Sequence, residues 1–195
     1  MKLYLASGNA HKVQEMNALA QASGLDLEIV SAKAVGGMPA VEEDTGTFVG
    51  NARKKALALK AILPPDAWVL ADDSGLCVDA LDGAPGVESA YYAGPQGDSA
   101  ANLAKLVTVM SGVSSKKRGA HFVCVLLLVG PREAEAVFEG RSEGSLAIVP
   151  QGGAGFGYDP LFVPTGRIHS FAQLTDAEKN ELSHRGRAWV KLADW

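Results

Sequence analysis

Along this chain, short apolar runs alternate with segments of helical period. Lys2 to Ala6 reads as a strand, and the apolar spacing of His11 to Ser23 reads as a helix stopped by Gly24. Leu27 to Ser31 is predicted as a second strand, Thr47 to Leu63 as a helix ended by Pro64 and Pro65, and Trp68 to Ala71 as a third strand. The passage from Asp72 to Asp98 is rich in Gly, Pro and Asp, broken by the apolar piece Leu76 to Leu81, and reads as a long functional loop. A helix follows over Asp98 to Met110. Gly119 to Gly130 and Ala134 to Val149 read as two long strands joined by Pro131, Arg132 and Glu133, the pattern of an antiparallel hairpin. The last helical region opens on a capping box, Thr175 to Glu178, and runs to Trp195 with a break expected at Gly186. The pattern predicts an α/β fold in which a mixed twisted sheet is flanked by helices, with two lobes and an active-site cleft between them.

Length and composition narrow this further. At roughly 150 residues per domain, the 195 residues make about one domain, and 47% hydrophobic with 21% charged residues is ordinary globular composition. Lys and Arg total 18 against 22 Asp and Glu, a net charge of -4, and no basic stripe offers itself to a duplex, so nucleic acid is not an expected partner. The cluster Lys116, Lys117, Arg118 reads as a solvated turn. Cys77 and Cys124 are too far apart for a CxxC motif and sit in apolar sequence, which predicts reduced core residues. The apolar stretch Phe122 to Gly130 is far short of a membrane span and Met1 to Ala6 is too short for a signal peptide, so no membrane association is expected and the expected address is the cytoplasm.

Five constellations can carry chemistry. Ser7, Gly8, Asn9, Ala10, His11 and Lys12 stand where a strand ends and a helix begins; exposed N–H groups and a lysine there suit a phosphate, although the same residues make an ordinary helix cap. Asp72 and Asp73, followed by Ser74, come just after an apolar strand at the sheet edge where α/β proteins bind ligands, and their hard oxygens suit Mg²⁺. Successive strand side chains point to opposite faces, so the two carboxylates share one role only if the backbone turns there. Glu42, Glu43 and Asp44 form an acidic run before the helix that Thr47 caps; it reads as a solvated face unless it meets Asp73. Phe156, Gly157, Tyr158 and Asp159 lie in a Gly-rich stretch that would accept a flat ligand, an aromatic stacking on a base and a carboxylate accepting a ring N–H, or whose aromatics would simply plug the core. Lys179, His184 and Arg185 rotate to different sides of one straight helix, so only a break would let them meet a common ligand; otherwise they are a charged face.

Together these blocks resemble the inosine triphosphate pyrophosphatase family of purine nucleoside triphosphate pyrophosphatases. The family patterns [ST]GNxxKxxE, TFxENAxxKA, ADDSGLxVDAL, GxPG, FGYDP and EKNxxSHRG are similar to Ser7 to Glu15, Thr47 to Ala56, Ala71 to Leu81, Gly83 to Gly86, Phe156 to Pro160 and Glu178 to Gly186, in order along nearly the whole chain. The resemblance implies one pyrophosphatase domain over residues 1–195, a homodimer, and Mg²⁺-dependent hydrolysis of ITP, dITP and XTP to the monophosphate and pyrophosphate. It implies Asp73 as general base and metal carboxylate, with Glu43 and Asp72 as further metal carboxylates. Ser7 to Lys12, Ser74 and Lys179 would contact the triphosphate, and Phe156 to Asp159, His184 and Arg185 the base. A 6-oxopurine presents an O6 acceptor and an N1–H donor, so a cation from His184 or Arg185 with Asp159 as acceptor would favour it over adenine.

The chain departs from the family pattern at Gly50, where TFxEN has Glu, and at Glu88 and Tyr91, where GxPGxYSARY has Tyr and Arg. Gly50 supports a competing expectation, a nucleotide-binding regulator that has lost turnover. A phosphatase with an aspartyl nucleophile is disfavoured, since Ser7, Gly8 and Asn9 follow the first strand where that Asp would stand.

Overall fold

A computed structural model describes residues 1–195. Its strands are β1 (Lys2–Ala6), β2 (Glu28–Ser31), β3 (Trp68–Val78), β4 (Gly119–Val129), β5 (Glu135–Leu146) and β6 (Phe162–Pro164). They form one sheet in the order β2-β1-β3-β4-β5-β6. Five helices accompany it: α1 (Ala10–Ala22), α2 (Phe48–Lys60), α3 (Ser99–Val109), α4 (Asp176–Leu182) and α5 (His184–Ala193). β1 runs parallel to β2 and to β3, whereas β5 and β6 are antiparallel, so the sheet is mixed and the fold is α/β as expected. Helix starts follow cap chemistry, with Asn9, Thr47, Asp98 and Thr175 each turning a side-chain oxygen to the first free N–H groups.

Chain contacts divide the molecule into two compact units. One comprises Met1–Asp73, Cys124–Gly140 and Arg185–Trp195, the other Ser74–Val123 and Arg141–His184. In the first, alternate residues of each strand serve opposite apolar layers. Leu3, Leu5, Leu70, Cys124, Leu126 and Leu128 pack with Met16 and Leu19 of α1 and Trp189 and Leu192 of α5. Ala6, Val69, Ala71, Val125, Leu127 and Val129 pack with Ala52, Ala56 and Leu59 of α2. Burial on both faces is why β4 reads as a continuous apolar run. The second unit has its own core, in which Phe122 meets Phe162 edge-on at 4.8 Å and Leu76, Leu106, Leu146 and Phe171 complete the packing.

The structure revises several sequence expectations. β3 does not end at Ala71 but continues to Val78, so Asp72 and Asp73 lie within a strand. A buried strand tolerates two carboxylates only where cations meet them, and here they do. The last helical region breaks at Ser183, whose backbone is extended, and not at Gly186, which lies inside α5. β6 has three residues and a proline, too little to stand out as a strand. Arg118 is buried and not solvated: its guanidinium donates to the carbonyls of Leu146, Met110, Val113 and Ala147 at 2.8 to 3.2 Å. Cys124 is buried as expected, while Cys77 is half-buried; both are free.

Gly130, at the end of β4, lies under the Trp68 ring, and a Cβ there would stand 2.4 Å from it. Gly130→Ala is therefore expected to cost about 1–3 kcal/mol through a displaced indole. Urea denaturation followed by tryptophan fluorescence checks this; an unchanged midpoint would mean that Trp68 moves freely.

Candidate active site

The site grows from the register of two parallel strands. Leu5 pairs with Leu70 and Ala6 with Ala71, so Ser7 leaves β1 beside Asp72, where β3 runs on past the C-terminal end of β1, the edge at which open α/β sheets bind ligands. Alternation then separates the aspartates. Asp72 has the parity of Leu70 and falls on the α1 and α5 face; Asp73 has the parity of Val69 and Ala71 and falls on the α2 face.

On the first face, Asp72 is closed off from solvent. Arg185 Nε donates to its Oδ2 at 2.6 Å, Lys12 Nζ bonds Oδ1, and the Cys124 thiol lies 3.5 Å from Oδ2. Arg185 Nη1 also pairs with Glu15. Burial alone would push the Asp72 carboxyl up, but the charges of Arg185 and Lys12 outweigh it and hold the group well below the usual carboxylate range.

On the second face, Lys55 of α2 stands between two carboxylates, 2.8 Å from Glu43 Oε2 and 2.5 Å from Asp73 Oδ1. Asp73 Oδ2 is buried without a hydrogen-bond partner. Burial pushes the Asp73 carboxyl up to about 6 against the pull of Lys55 and Lys12. Burial also works to raise Glu43, but Lys55 overrides it and keeps that carboxyl below its ordinary value. Two acids on one ammonium are thus set apart in acidity, the arrangement from which acid and base roles are drawn.

The turn after β1 forms a helix cap. Asn9 Oδ1 caps α1, accepting from His11 N at 2.9 Å and Lys12 N at 3.4 Å, and Ser7 Oγ accepts from Asn9 N. Ser7 is buried, whereas Gly8, Asn9, Ala10 and His11 are exposed. The cap fixes the turn, and Lys12 carries its ammonium to Asp72.

In the second unit, Asp159 Oδ2 accepts from Phe156 N and from Lys179 Nζ, each at 2.8 Å, and Lys179 lies 5.1 Å from the Phe156 ring centre. Gly155 permits this closeness, because a Cβ there would meet Asp159 Oδ2 at 2.3 Å. The His184 ring stacks on Phe122 at 4.6 Å and 10°. Ser74, which follows Asp73, is half-buried.

Three of the expected site residues have partners within the fold. Asp72, read as a metal carboxylate, is consumed by Arg185 and Lys12, and it forms no three-carboxylate group with Asp73 and Glu43. Arg185, read as a base contact, is 1% exposed and committed to Asp72 and Glu15. Tyr158, read with Phe156 as a stacking residue, is a core side chain whose hydroxyl donates to Ser89 O at 2.8 Å. Phe156 is the half-exposed aromatic of the pair. Sequence reasoning missed Lys55 and Glu15. Both had a signal: Lys55 is the penultimate residue of the segment headed by Thr47, and Glu15 lies three residues after Lys12 on one helix face.

Fold and centre together define an α/β protein with carboxylates and cations gathered beside the C-terminal end of β1. The chain belongs to the Ham1 family, whose model matches residues 3–195. It is 60% identical to a dITP/XTP pyrophosphatase of Opitutus terrae, over 100% of this chain and 98% of that protein. Among solved structures, a HAM1 protein from Coxiella burnetii superposes with TM-score 0.86 at 35% identity, covering 100% of this chain and 97% of that one. A dITP/XTP pyrophosphatase from Mycobacterium abscessus matches with TM-score 0.76 at 43% identity and 98% coverage of each chain.

Proposed function

We propose that this protein hydrolyses the non-canonical purine nucleoside triphosphates dITP, XTP and ITP to the monophosphate and pyrophosphate. Its relatives named dITP/XTP pyrophosphatases, matched over nearly their whole length, support the reaction class. The observation that carries the mechanism is Asp73, gripped at Oδ1 by Lys55 and open at Oδ2 in the interior.

Cleavage between the α and β phosphates needs a water deprotonated beside the α-phosphorus. Asp73 Oδ2 takes that proton; a carboxyl near 6 is largely ionised at neutral pH yet more basic than an exposed Asp. Lys55 fixes the carboxylate plane and balances Glu43. The donor set fits Mg²⁺, since Glu43 and Asp73 offer hard oxygens converging on one point of positive charge. When bound there, the ion neutralises phosphate charge. Asp72 serves as a positioning residue for Lys12, and Arg185 for Asp72. The Ser7 to Lys12 turn, Ser74 and Lys179 bind the triphosphate. Phe156 stacks on the base and His184 donates to the 6-oxo group. Gly157, Tyr158 and Asp159 shape that side, Asp159 by holding Lys179 and the Phe156 N–H. The family resemblance further supports a homodimer in the cytoplasm that acts on free nucleotides.

The test is product analysis with purified protein and Mg²⁺ on ITP, XTP, dITP, GTP and ATP. Monophosphate with pyrophosphate is expected from the first three, with ATP disfavoured by about 10⁴ because its 6-amino edge leaves a buried donor unpaired. Orthophosphate would make the protein a phosphatase, and binding without product would make it a regulator.

A further inference from the structure

The acidic loop that presents Glu43 docks on one turn of α2. Lys55 bonds Glu43 and Lys54 bonds Asp44 at 2.5 Å, but the latter pair is exposed and holds the loop weakly. The interior anchor is Asn51, 1% exposed, whose Oδ1 accepts from Thr45 N at 3.2 Å and from Thr45 Oγ1 at 2.8 Å. Its Nδ2 has no partner. A buried amide left half-unpaired is a poor choice for stability alone, which directs attention to what its oxygen holds.

Gly50 belongs to the same device. A Cβ at position 50 would lie 2.3 Å from Thr45 Oγ1 and 2.8 Å from Thr47 Oγ1. The Thr45 hydroxyl therefore fills the space from which a side chain at position 50 would emerge, and the two exclude each other. Adding one would swing the hydroxyl off Asn51 and release the loop two residues from Glu43. We infer that Gly50, Thr45 and Asn51 form a positioning unit that locks the acidic loop onto α2 and so presets Glu43 beside Asp73 for a divalent cation. This rests on the metal reading of Glu43 and Asp73. It also gives Gly50 a meaning other than lost function: the glycine is the space that the threonine lock requires.

Mn²⁺ is the probe, and its half-saturating concentration is read from the rise in Tm of the nucleotide-free protein and from calorimetric titration. Outer residues that orient ligands change metal affinity by about 10- to 100-fold. Thr45→Val and Gly50→Ala are expected to raise the half-saturating Mn²⁺ at least about tenfold, and Thr45→Ser to restore it. Thr45 is exposed, so the metal-free Tm of Thr45→Val should stay within about 2 °C of wild type, which separates positioning from folding. A wild-type protein that responds to Mn²⁺, with Thr45→Val and Gly50→Ala responding at the same concentration, overturns the inference alone. A wild-type protein with no Mn²⁺ response overturns the metal reading and this inference with it.

Discussion

Asp73→Asn is expected to lower kcat by about a thousandfold or more while raising the Tm of the metal-free protein at pH 8. The rate loss follows from removing the carboxylate proposed to accept the proton of the attacking water, at the upper range of general-base effects. The stability gain follows from the direction of the acidity shift. The folded carboxyl titrates at about 6, above its ordinary 3.8, so the native state prefers the neutral form. Ionisation costs the fold nothing below about pH 4. The cost grows between the two values and is complete above pH 6, where a shift of about 2 units corresponds to at most about 3 kcal/mol. Asparagine is neutral at every pH and escapes it. The Tm advantage of the variant should therefore shrink as pH falls from 8 towards 4. Near wild-type turnover would remove Asp73 as the base, and a variant less stable than wild type at pH 8 would mean that Lys55 needs the charge more than burial resists it.

This opposition between activity and stability explains what sequence reading reached and where it stopped. The strands and helices of the first unit were legible because burial writes itself as period: the odd and even residues of β3 and β4 feed two different helix layers. The same rule correctly assigned Asp72 and Asp73 to different faces. It failed at the end of β3, because two adjacent aspartates look like a turn unless their counter-charges are known, and Lys12, Lys55 and Arg185 come from 18 to 113 positions away. Arg118 misled for the same reason, since carbonyls are not visible as partners in a sequence. The break at Ser183 was placed at Gly186 because glycine is the stronger breaker locally, whereas packing of Ala188 and Trp189 in the core draws α5 back to begin at His184. His184 and Arg185, adjacent in sequence, then take different partners, Phe122 for one and Asp72 with Glu15 for the other.

The second large effect falls on that arginine. Arg185→Met is expected to destabilise the protein by about 3–5 kcal/mol, because it strips the main counter-charge from a carboxylate whose side chain has 0% exposure. Lys12 remains on Asp72, but Glu15 loses its pair with Arg185. Arg185→Lys should lie between, since one ammonium does not span both acids as the guanidinium does. The decisive measurement is a double-mutant cycle. With Asp72→Leu added to Arg185→Met, the fully buried carboxylate is gone, while the Lys12 and Glu15 side chains, 14% and 18% exposed, keep some access to water. The double variant should then be more stable than Arg185→Met alone, with a coupling of about 1–3 kcal/mol. Acidity provides a second check. The Asp72 carboxyl is held well below its ordinary value in the fold, so its stabilisation is complete above about pH 4 and is lost as pH falls through the depressed folded value. Urea midpoints of the wild type should drop steeply on that acid limb, and those of the double variant should follow a flatter one. Equal limbs, or additive losses in the cycle, would show that Asp72 and Arg185 act independently and that the arginine is free for another partner.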